Sequence, residues 1–106
     1  MKISIITCTF NRKEKLLRNI KSVLDQNFNN LEQFIIDDGS TDNTINEVEK
    51  LNIDFLKIIP LKKNLGQPEA LFNSNVFNLI SGEIYFLLDS DDLLLPGALR
   101  KIKEDA

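Results

Sequence analysis

A run of acidic residues is the part of the sequence whose residue types and spacing point most clearly to a chemical function. Asp89-Ser90-Asp91-Asp92 places three carboxylates within four residues, directly after an apolar stretch. Like charges this close repel one another unless a cation or hydrogen-bond donors offset them. Mg²⁺ and Mn²⁺ favour such oxygen ligands and complete their coordination with phosphate oxygens and water. The run therefore suggests a metal-diphosphate site, although short acidic turns also end strands and cap helices.

A second polar turn, Asp37-Asp38-Gly39-Ser40, follows an apolar stretch in the same way. One interpretation is purely local: Ser40 or Thr41 caps the helix that comes next. In the other, a carboxylate of this turn accepts hydrogen bonds from a base or ribose. The two interpretations are compatible, and the sequence leaves both open.

The first apolar stretch ends in a third polar group, Thr7 to Asn11. Phe10 could stack on a base, but a lone aromatic residue at a strand end commonly packs on its own helix. Cys8 has the character of a small buried residue. Three basic residues come next, at the start of the predicted helix: Arg12, Lys13 and Lys15. Positive charge is unfavourable at the start of a helix, so these side chains either bind a ligand's negative charge or are solvated.

Several classes of function are excluded or disfavoured by composition. The chain has no histidine and a single cysteine, which excludes a zinc cluster, a Ser-His triad and an internal disulfide. A net charge of -3 without a basic stripe argues against nucleic acid. Neither a P-loop nor a G-x-G-x-x-G motif occurs. The N-terminal apolar stretch is too short for a signal peptide or membrane span, so we expect a cytoplasmic location.

These polar groups need a scaffold, and the periodicity of the chain predicts four strands alternating with helices. Strands are expected over residues 3–8, 31–36, 55–61 and 84–88, the last buried on both faces. Helices are expected after an N-cap at Asn11, after Ser40 or Thr41, around Pro68 with Phe77 on its buried face, and from Pro96. The fold class is therefore α/β, a single domain with a parallel sheet. The three polar groups should share the carboxyl edge of that sheet, where such folds bind ligands.

Taken together, the motifs resemble those of family 2 glycosyltransferases. The resemblance rests on five segments in order: Thr9-Phe10-Asn11-Arg12, residues 35–42, Asn64-x-Gly66, Gly82-Glu83, and residues 88–92. It covers nearly the whole chain. It implies a GT-A fold, a Rossmann-like and mostly parallel sheet with helices on both faces. Residues 1–106 would then be the nucleotide-sugar-binding half of such a domain.

The resemblance also implies roles for individual residues. Asp91 would bind Mn²⁺ or Mg²⁺, and Asp89 would bind the donor's ribose or complete the metal shell. Asp38 would contact the base, while Thr9 and Phe10 would line the nucleotide pocket. The donor would be a nucleotide-diphosphate sugar, most simply a UDP-sugar, and transfer to an acceptor hydroxyl would invert the anomeric carbon.

Two departures from the family pattern qualify this expectation. Many members carry an Arg or Lys and a Gly in the helix after Asn-x-Gly, but residues 70–76 read ALFNSNV. Members also continue into an acceptor-binding half that holds the catalytic base, so we expect this chain to bind donor without efficient transfer. The acceptor, a saccharide or a lipid-linked sugar, is not specified. In the full-length protein the site could lie at the inner face of a membrane.

Two other functions stay open at this point. One is a nucleotide-diphosphate binding module without catalysis. The other is a sugar nucleotidyltransferase, which would need a Gly-rich basic loop after the first strand, where this chain has Thr7 to Asn11. We also expect an exposed sheet edge at Tyr85, Phe86 and Leu87, which favours self-association.

Overall fold

The computed structural model describes all 106 residues. Its elements, in chain order, are β1 (Ile3–Thr9), α1 (Lys13–Leu24), β2 (Leu31–Asp37), α2 (Thr44–Lys50), β3 (Leu56–Pro60), α3 (Gln67–Asn73), a 3₁₀ turn (Val76–Asn78), β4 (Ile84–Leu87) and α4 (Ala98–Asp105). The predicted fourfold alternation of strand and helix is confirmed. None of these helices combines the length and apolar character that crossing a bilayer requires.

The four strands form one parallel sheet in the order β3-β2-β1-β4. The central strand β1 pairs Ile3 with Leu31 on one side and with Ile84 on the other. Successive strands are added outward from β1 to β3, and the chain then returns to the opposite side of β1 to place β4. The strand order therefore reverses between β1 and β4, which is where ligands bind in open α/β sheets.

Both faces of the sheet are covered by helices, as the α/β prediction requires. On one face, residues of β1 and β2 pack against α1, α2 and α4, through Leu16, Ile20, Val23, Val48 and Leu99. On the other face, Ile6, Phe34 and Ile36 pack against Ala70 of α3 and Val76 of the 3₁₀ turn. Alternation of side chains along each strand supplies apolar residues to both faces.

Two predictions about the last third of the chain are wrong. β4 lies at an edge of the sheet, so Tyr85 is 56% exposed and Leu87 is 51% exposed instead of buried. Phe77 does not belong to a continuous α3 either: it is 52% exposed and meets Tyr85 edge-on, with ring centroids 6.0 Å apart. The helix ends because Asn75 adopts a left-handed conformation with φ 61°. The exposed edge itself was expected.

The predicted helix starts are also displaced. The N-cap of α1 is Arg12 and not Asn11, whose φ is +50°. The N-cap of α2 is Asn43, because Ser40 and Thr41 bind Asn11 instead. α4 begins one residue after Gly97, which has a left-handed conformation, and not at Pro96.

At the amino end of the sheet, a buried carboxylate joins three strands to the loop before β4. Glu32 is 1% exposed. It accepts hydrogen bonds from Ser4 Oγ at 2.6 Å, Ser81 N at 2.8 Å and Lys57 Nζ at 2.9 Å. Burial alone would raise the pKa of Glu32, but these bonds outweigh it and lower the pKa to about 2. The carboxylate therefore stays ionised and holds Gly82, whose N–H donates to Ser4 Oγ.

Candidate functional site

A polar cavity of about 260 Å³ lies at the carboxyl ends of β1 and β4. Four residues singled out from the sequence line it together: Thr9, Phe10, Asp38 and Asp89. The rest of the lining is Cys8, Arg12, Asn64, Gly66, Gln67 and Ser90. Asp91, the predicted metal ligand, is not part of the lining. The three polar groups predicted at one edge of the sheet therefore do converge, with Asp91 just outside the cavity wall.

Asp38 fixes the loop between β3 and α3. Its Oδ1 accepts a hydrogen bond from the N–H of Leu65 at 2.8 Å, and its Oδ2 accepts from Gly66 N at 2.9 Å and Asn64 Nδ2 at 3.0 Å. A carboxylate has about four acceptor positions, so Oδ1 keeps capacity for one more donor. Asp38 both shapes the cavity wall and can still accept a hydrogen bond from a ligand.

Gly39 permits that loop to approach. Its φ is +78°, and a Cβ placed there would lie 2.6 Å from the backbone N of Asn64 and 2.6 Å from the carbonyl C of Lys63. No side chain fits in this space without moving backbone. The Asp-Gly pair is therefore a packing requirement of the site and not only a turn signal.

The loops after β1 and β2 bind each other. Asn11 accepts a hydrogen bond at Oδ1 from the N–H of Thr41 at 2.7 Å, and its own N–H donates to Ser40 Oγ at 2.9 Å. Asp42 accepts from Lys13 N at 3.1 Å and from the Thr44 hydroxyl. Burial would raise the pKa of Asp42, but bonds from Thr44 and Lys13 lower it. These contacts fix the backbone that carries Phe10 and Arg12.

Two carboxylates of the acidic turn, those of Asp91 and Asp89, differ in their partners. The Asp91 carboxylate forms an ion pair with Arg12, with Oδ2 2.5 Å from the Nη1 atom. The side chain of Asp91 is 39% exposed and that of Arg12 is 52% exposed. Asp89 lines the cavity, and its carboxylate accepts no hydrogen bond from the chain. The carboxylate of Asp89 is thus free, and that of Asp91 is paired only with an exposed cation.

A buried amide network supports the turn from beneath. Asn19 Nδ2 donates to the carbonyl oxygens of Asp89 and Asp92, both at 2.9 Å. Asn19 Oδ1 accepts from Gln33 Nε2 at 2.9 Å, which also donates to Thr7 Oγ1 at 3.0 Å. The turn is therefore tied through α1 to the centre of the sheet.

The electrostatics of the cavity wall disfavour a nucleophilic cysteine. Burial raises the pKa of the Cys8 thiol to about 11, with smaller contributions from Asp38 and Asp89. Burial likewise raises the pKa of Asp37, whose Oδ1 has no hydrogen-bond partner. The buried hydroxyl of Thr9 also has no partner within the chain. Two of the three buried polar side-chain atoms without a partner therefore lie at this end of the sheet, and the third, Gln33 Oε1, lies within β2.

The donor set suits a cation that a ligand helps to hold. No group of three or more His, Cys, Asp or Glu side chains is arranged to hold a metal ion. A pre-formed protein cage is therefore not present. Asp89 and Asp91 still fit Mg²⁺ or Mn²⁺, because these ions commonly take one or two protein carboxylates together with substrate phosphates.

A larger cavity, of about 510 Å³, lies at the opposite end of the sheet, between the ends of α1 and α2. Its lining includes Leu24, Phe28, Ile53 and Phe55, with Asp54 as its one charged residue. Its polar residues are Asn27, Asn29, Asn52 and Asp54, and it has no basic side chain and none of the residues that the sequence motifs single out. The smaller cavity is therefore the candidate site.

Sequence reasoning missed Asn19 and Gln33 and left Arg12 undecided. A signal was available for the first two. Asn19 falls on the apolar stripe of α1 beside Leu16 and Ile20, and Gln33 interrupts an apolar strand. Polar residues in such positions need buried partners. The place of Arg12 depends on a contact with Asp91, far away in the chain, which periodicity does not reveal.

Comparison with known proteins agrees with this architecture. The sequence model for "Glycosyl transferase family 2" matches residues 4–106. A Campylobacter jejuni GalNAc(5)-diNAcBac-PP-undecaprenol beta-1,3-glucosyltransferase is 39% identical over 106 residues, 99% of this chain and 34% of its own length. The Staphylococcus aureus poly(ribitol-phosphate) beta-N-acetylglucosaminyltransferase TarP is 41% identical, over 95% of this chain and 32% of its own. The chain thus spans about a third of the length of these relatives.

Solved structures show the same fold. S. aureus TarS 1-349 in complex with UDP superposes with a TM-score of 0.86 at 31% identity, over 98% of this chain and 31% of that one. Its complex with UDP-GlcNAc gives 0.83 at 31%, over 98% and 30%. These likenesses favour neither the non-catalytic module nor the nucleotidyltransferase. By sequence and by the fold that carries its cavity, the chain belongs to glycosyl transferase family 2.

Proposed function

We propose that this chain is the donor-binding part of an inverting, metal-dependent glycosyltransferase that uses a UDP-sugar and works in the cytoplasm. The observation that carries the proposal is the convergence of Thr9, Phe10, Asp38 and Asp89 on one cavity at the switch point of the sheet. TarS, which is similar over 98% of this chain, has been crystallised with UDP and with UDP-GlcNAc. That likeness supports uracil as the base.

In this proposal the cavity wall recognises the nucleoside. Asp38 Oδ1, already bound to Leu65 N, accepts one further hydrogen bond from a ring N–H of the base. Phe10 is 39% exposed at the cavity, so its ring can pack on the base. Thr9 also lines the cavity, and its hydroxyl has no partner within the chain, so we assign it a hydrogen bond to the ligand. Cys8 stays a neutral thiol and only fills space.

Asp91 and Asp89 would hold the divalent cation beside the donor's diphosphate. When bound, that cation acts as a Lewis acid and offsets the charge that grows on the diphosphate as the glycosidic bond breaks. The two carboxylates orient the leaving group, and the Asn19 network keeps their backbone in place. We assign no catalytic base to this chain. The acceptor, which we infer to be a saccharide or a lipid-linked sugar, would be bound by parts that correspond to the rest of the relatives' length.

Titration calorimetry of the 106-residue chain with UDP and GDP, each with and without Mn²⁺, tests the proposal. We expect Mn²⁺-dependent binding of UDP that is lost in Asp91→Ala. Asp92→Ala is the matched control, since it removes the same charge from the same turn. Absence of nucleotide binding by the folded wild-type chain would contradict the proposal, and loss in Asp92→Ala alone would move the metal ligand to Asp92.

A further inference from the structure

Arg12 is the one basic side chain that lines the cavity. The other charged groups of the lining are the carboxylates of Asp38 and Asp89. A nucleotide diphosphate is itself anionic, so an acidic wall alone would repel it. Besides the divalent cation of the proposed function, Arg12 is the one positive group of the protein in position to contact the phosphates.

The helix after Asn64 offers no substitute. α3 reads QPEALFN and contains neither Lys nor Arg. Lys62 and Lys63 come just before Asn64 in the chain, but they do not line the cavity. The positive charge of the site therefore comes from the loop after β1 and not from α3.

Local folding does not account for an arginine at position 12. It is the N-cap of α1, where Ser, Thr, Asp or Asn is favoured, and its side chain makes no capping hydrogen bond. Its charge also faces the positive end of the helix dipole, which is unfavourable. The backbone at this point is fixed by Asn11, bound to Ser40 and Thr41. The guanidinium is thus held at the cavity at a cost to the helix.

The sole partner of the guanidinium is exchangeable. Arg12 pairs with Asp91, and the two side chains are 52% and 39% exposed. Ion pairs with this exposure are weak and are easily replaced by a better partner. A phosphate oxygen is such a partner, because the planar guanidinium can donate two parallel hydrogen bonds to it.

We propose that Arg12 binds the donor's diphosphate and that the Arg12–Asp91 pair separates when it does so. The guanidinium passes from Asp91 to the phosphates, and the Asp91 carboxylate becomes free for the divalent cation. The inference rests on the proposed function of this site. It adds a residue, Arg12, that binds the phosphates and that neutralises the charge of Asp91 until the donor binds.

This exchange predicts effects of opposite sign for one substitution. Arg12→Gln should weaken binding of UDP with Mn²⁺ by about 10- to 100-fold, because a charge-assisted phosphate contact is lost. The same variant should bind Mn²⁺ alone about 2- to 5-fold more tightly, since no guanidinium competes for Asp91. Arg12→Lys keeps the charge but loses the planar guanidinium, so its affinity for UDP should lie between that of wild type and that of Arg12→Gln.

The experiment is calorimetry with UDP and Mn²⁺, together with electron paramagnetic resonance of free Mn²⁺ without nucleotide, on the 106-residue chain. Arg18→Gln is the matched control: Arg18 is exposed on the same helix, lies outside the cavity lining and makes no ion pair. We expect it to behave as wild type in both titrations. Thermal unfolding of each variant checks that the chain is folded.

Each outcome separates this inference from the proposed function. Wild type that binds UDP with Mn²⁺, with Arg12→Gln binding it equally well, would overturn the role of Arg12 and leave the donor site standing. Arg12→Gln that weakens both UDP and Mn²⁺ would show a structural role and overturn the exchange. Wild type that binds no nucleotide would overturn both.

Discussion

The two ends of the parallel sheet treat their polar groups in opposite ways. At the amino end, Glu32 is saturated by donors from Ser4, Ser81 and Lys57, and the pKa of this carboxyl falls to about 2. Of the three buried side-chain oxygens without a partner, those of Thr9 and Asp37 lie at the carboxyl end, and that of Gln33 lies within β2. Fully satisfied polar networks hold a fold together, whereas unsatisfied buried groups call for an explanation such as a ligand. The contrast distinguishes the amino end, which we call the structural end, from the carboxyl end that carries the candidate site, which we call the functional end.

Asp38 both holds the fold together and faces the candidate site. Its carboxylate organises Asn64, Leu65 and Gly66 much as Glu32 organises the loop before β4. Unlike Glu32, it also faces the cavity. The functional end is therefore built by the same kind of carboxylate-to-amide bonding as the structural end, with acceptor capacity kept in reserve.

The largest effect should come from Gly39→Ala, which disturbs the packing of the Asn64 loop at the functional end. We expect a loss of about 4 kcal/mol in the free energy of unfolding, from a strained φ and a clash with the backbone of Asn64. Urea denaturation measures it. Gly97→Ala is the control: its φ is also positive, at +80°, but nothing lies within 4 Å, so about 1 kcal/mol is expected. Equal losses in the two variants would contradict the packing role.

Glu32→Gln tests the structural end. Because the pKa is about 2 in the fold and 4.5 as the reference value, unfolding takes up a proton between these values and acid favours the unfolded state. The ionised Glu32 therefore contributes about 3 kcal/mol, present above about pH 5 and lost progressively toward pH 2. The variant should lose this stability at neutral pH and its pH dependence as well. Glu104→Gln, at an exposed site, should keep both.

Asn19→Ala should weaken the support of the acidic turn while leaving the amino end intact. Loss of two bonds to the carbonyls of Asp89 and Asp92 is expected to cost about 2 kcal/mol. Amide hydrogen exchange should rise in residues 89–95 and stay unchanged around Glu32. Asn29→Ala, at an exposed asparagine, serves as the comparison, and a uniform rise in exchange across the chain would refute the local effect.

The smallest effect, and the one of opposite sign, is expected for Asp37→Asn. Burial raises the pKa of Asp37, so the folded state holds its proton more readily and the ionised form opposes folding at neutral pH. Removing the charge should raise the free energy of unfolding by less than about 1 kcal/mol and flatten its decline as pH rises through the pKa. A decrease in stability at pH 7 would show that the pKa-lowering influence of the neighbouring Ser40 outweighs burial.

The parts of this molecule that could be predicted from sequence are those governed by short-range periodicity. The strands and helices, their alternation and the shared edge of Thr9, Asp38 and Asp89 all follow from it. The prediction that β4 is buried on both faces was wrong, because exposure of Tyr85 depends on which strands lie beside it. Helix caps failed for a related reason: Ser40 has a partner in another loop, at Asn11, that local pattern does not show.

The candidate site was partly predictable for the same reason. Position relative to strand ends identified the acidic turn, but its pairing with Arg12 and its support by Asn19 are long-range contacts. The orientation of Asp91 outside the cavity lining likewise depends on Arg12. Residue type and spacing select the candidates here, and tertiary contacts decide how each is presented.

The sheet order also constrains how the chain is made. β1 is synthesised first and lies at the centre, yet its second neighbour, β4, is synthesised last of the strands. Until residues 84–87 leave the ribosome, the β1 edge running from Ile3 to Ile6 is open to pairing with any other extended segment. Closing so distant a contact is slow. The β1–β4 pairing is therefore expected to be among the last contacts to form, and the Ile3 to Ile6 edge stays open to association until then.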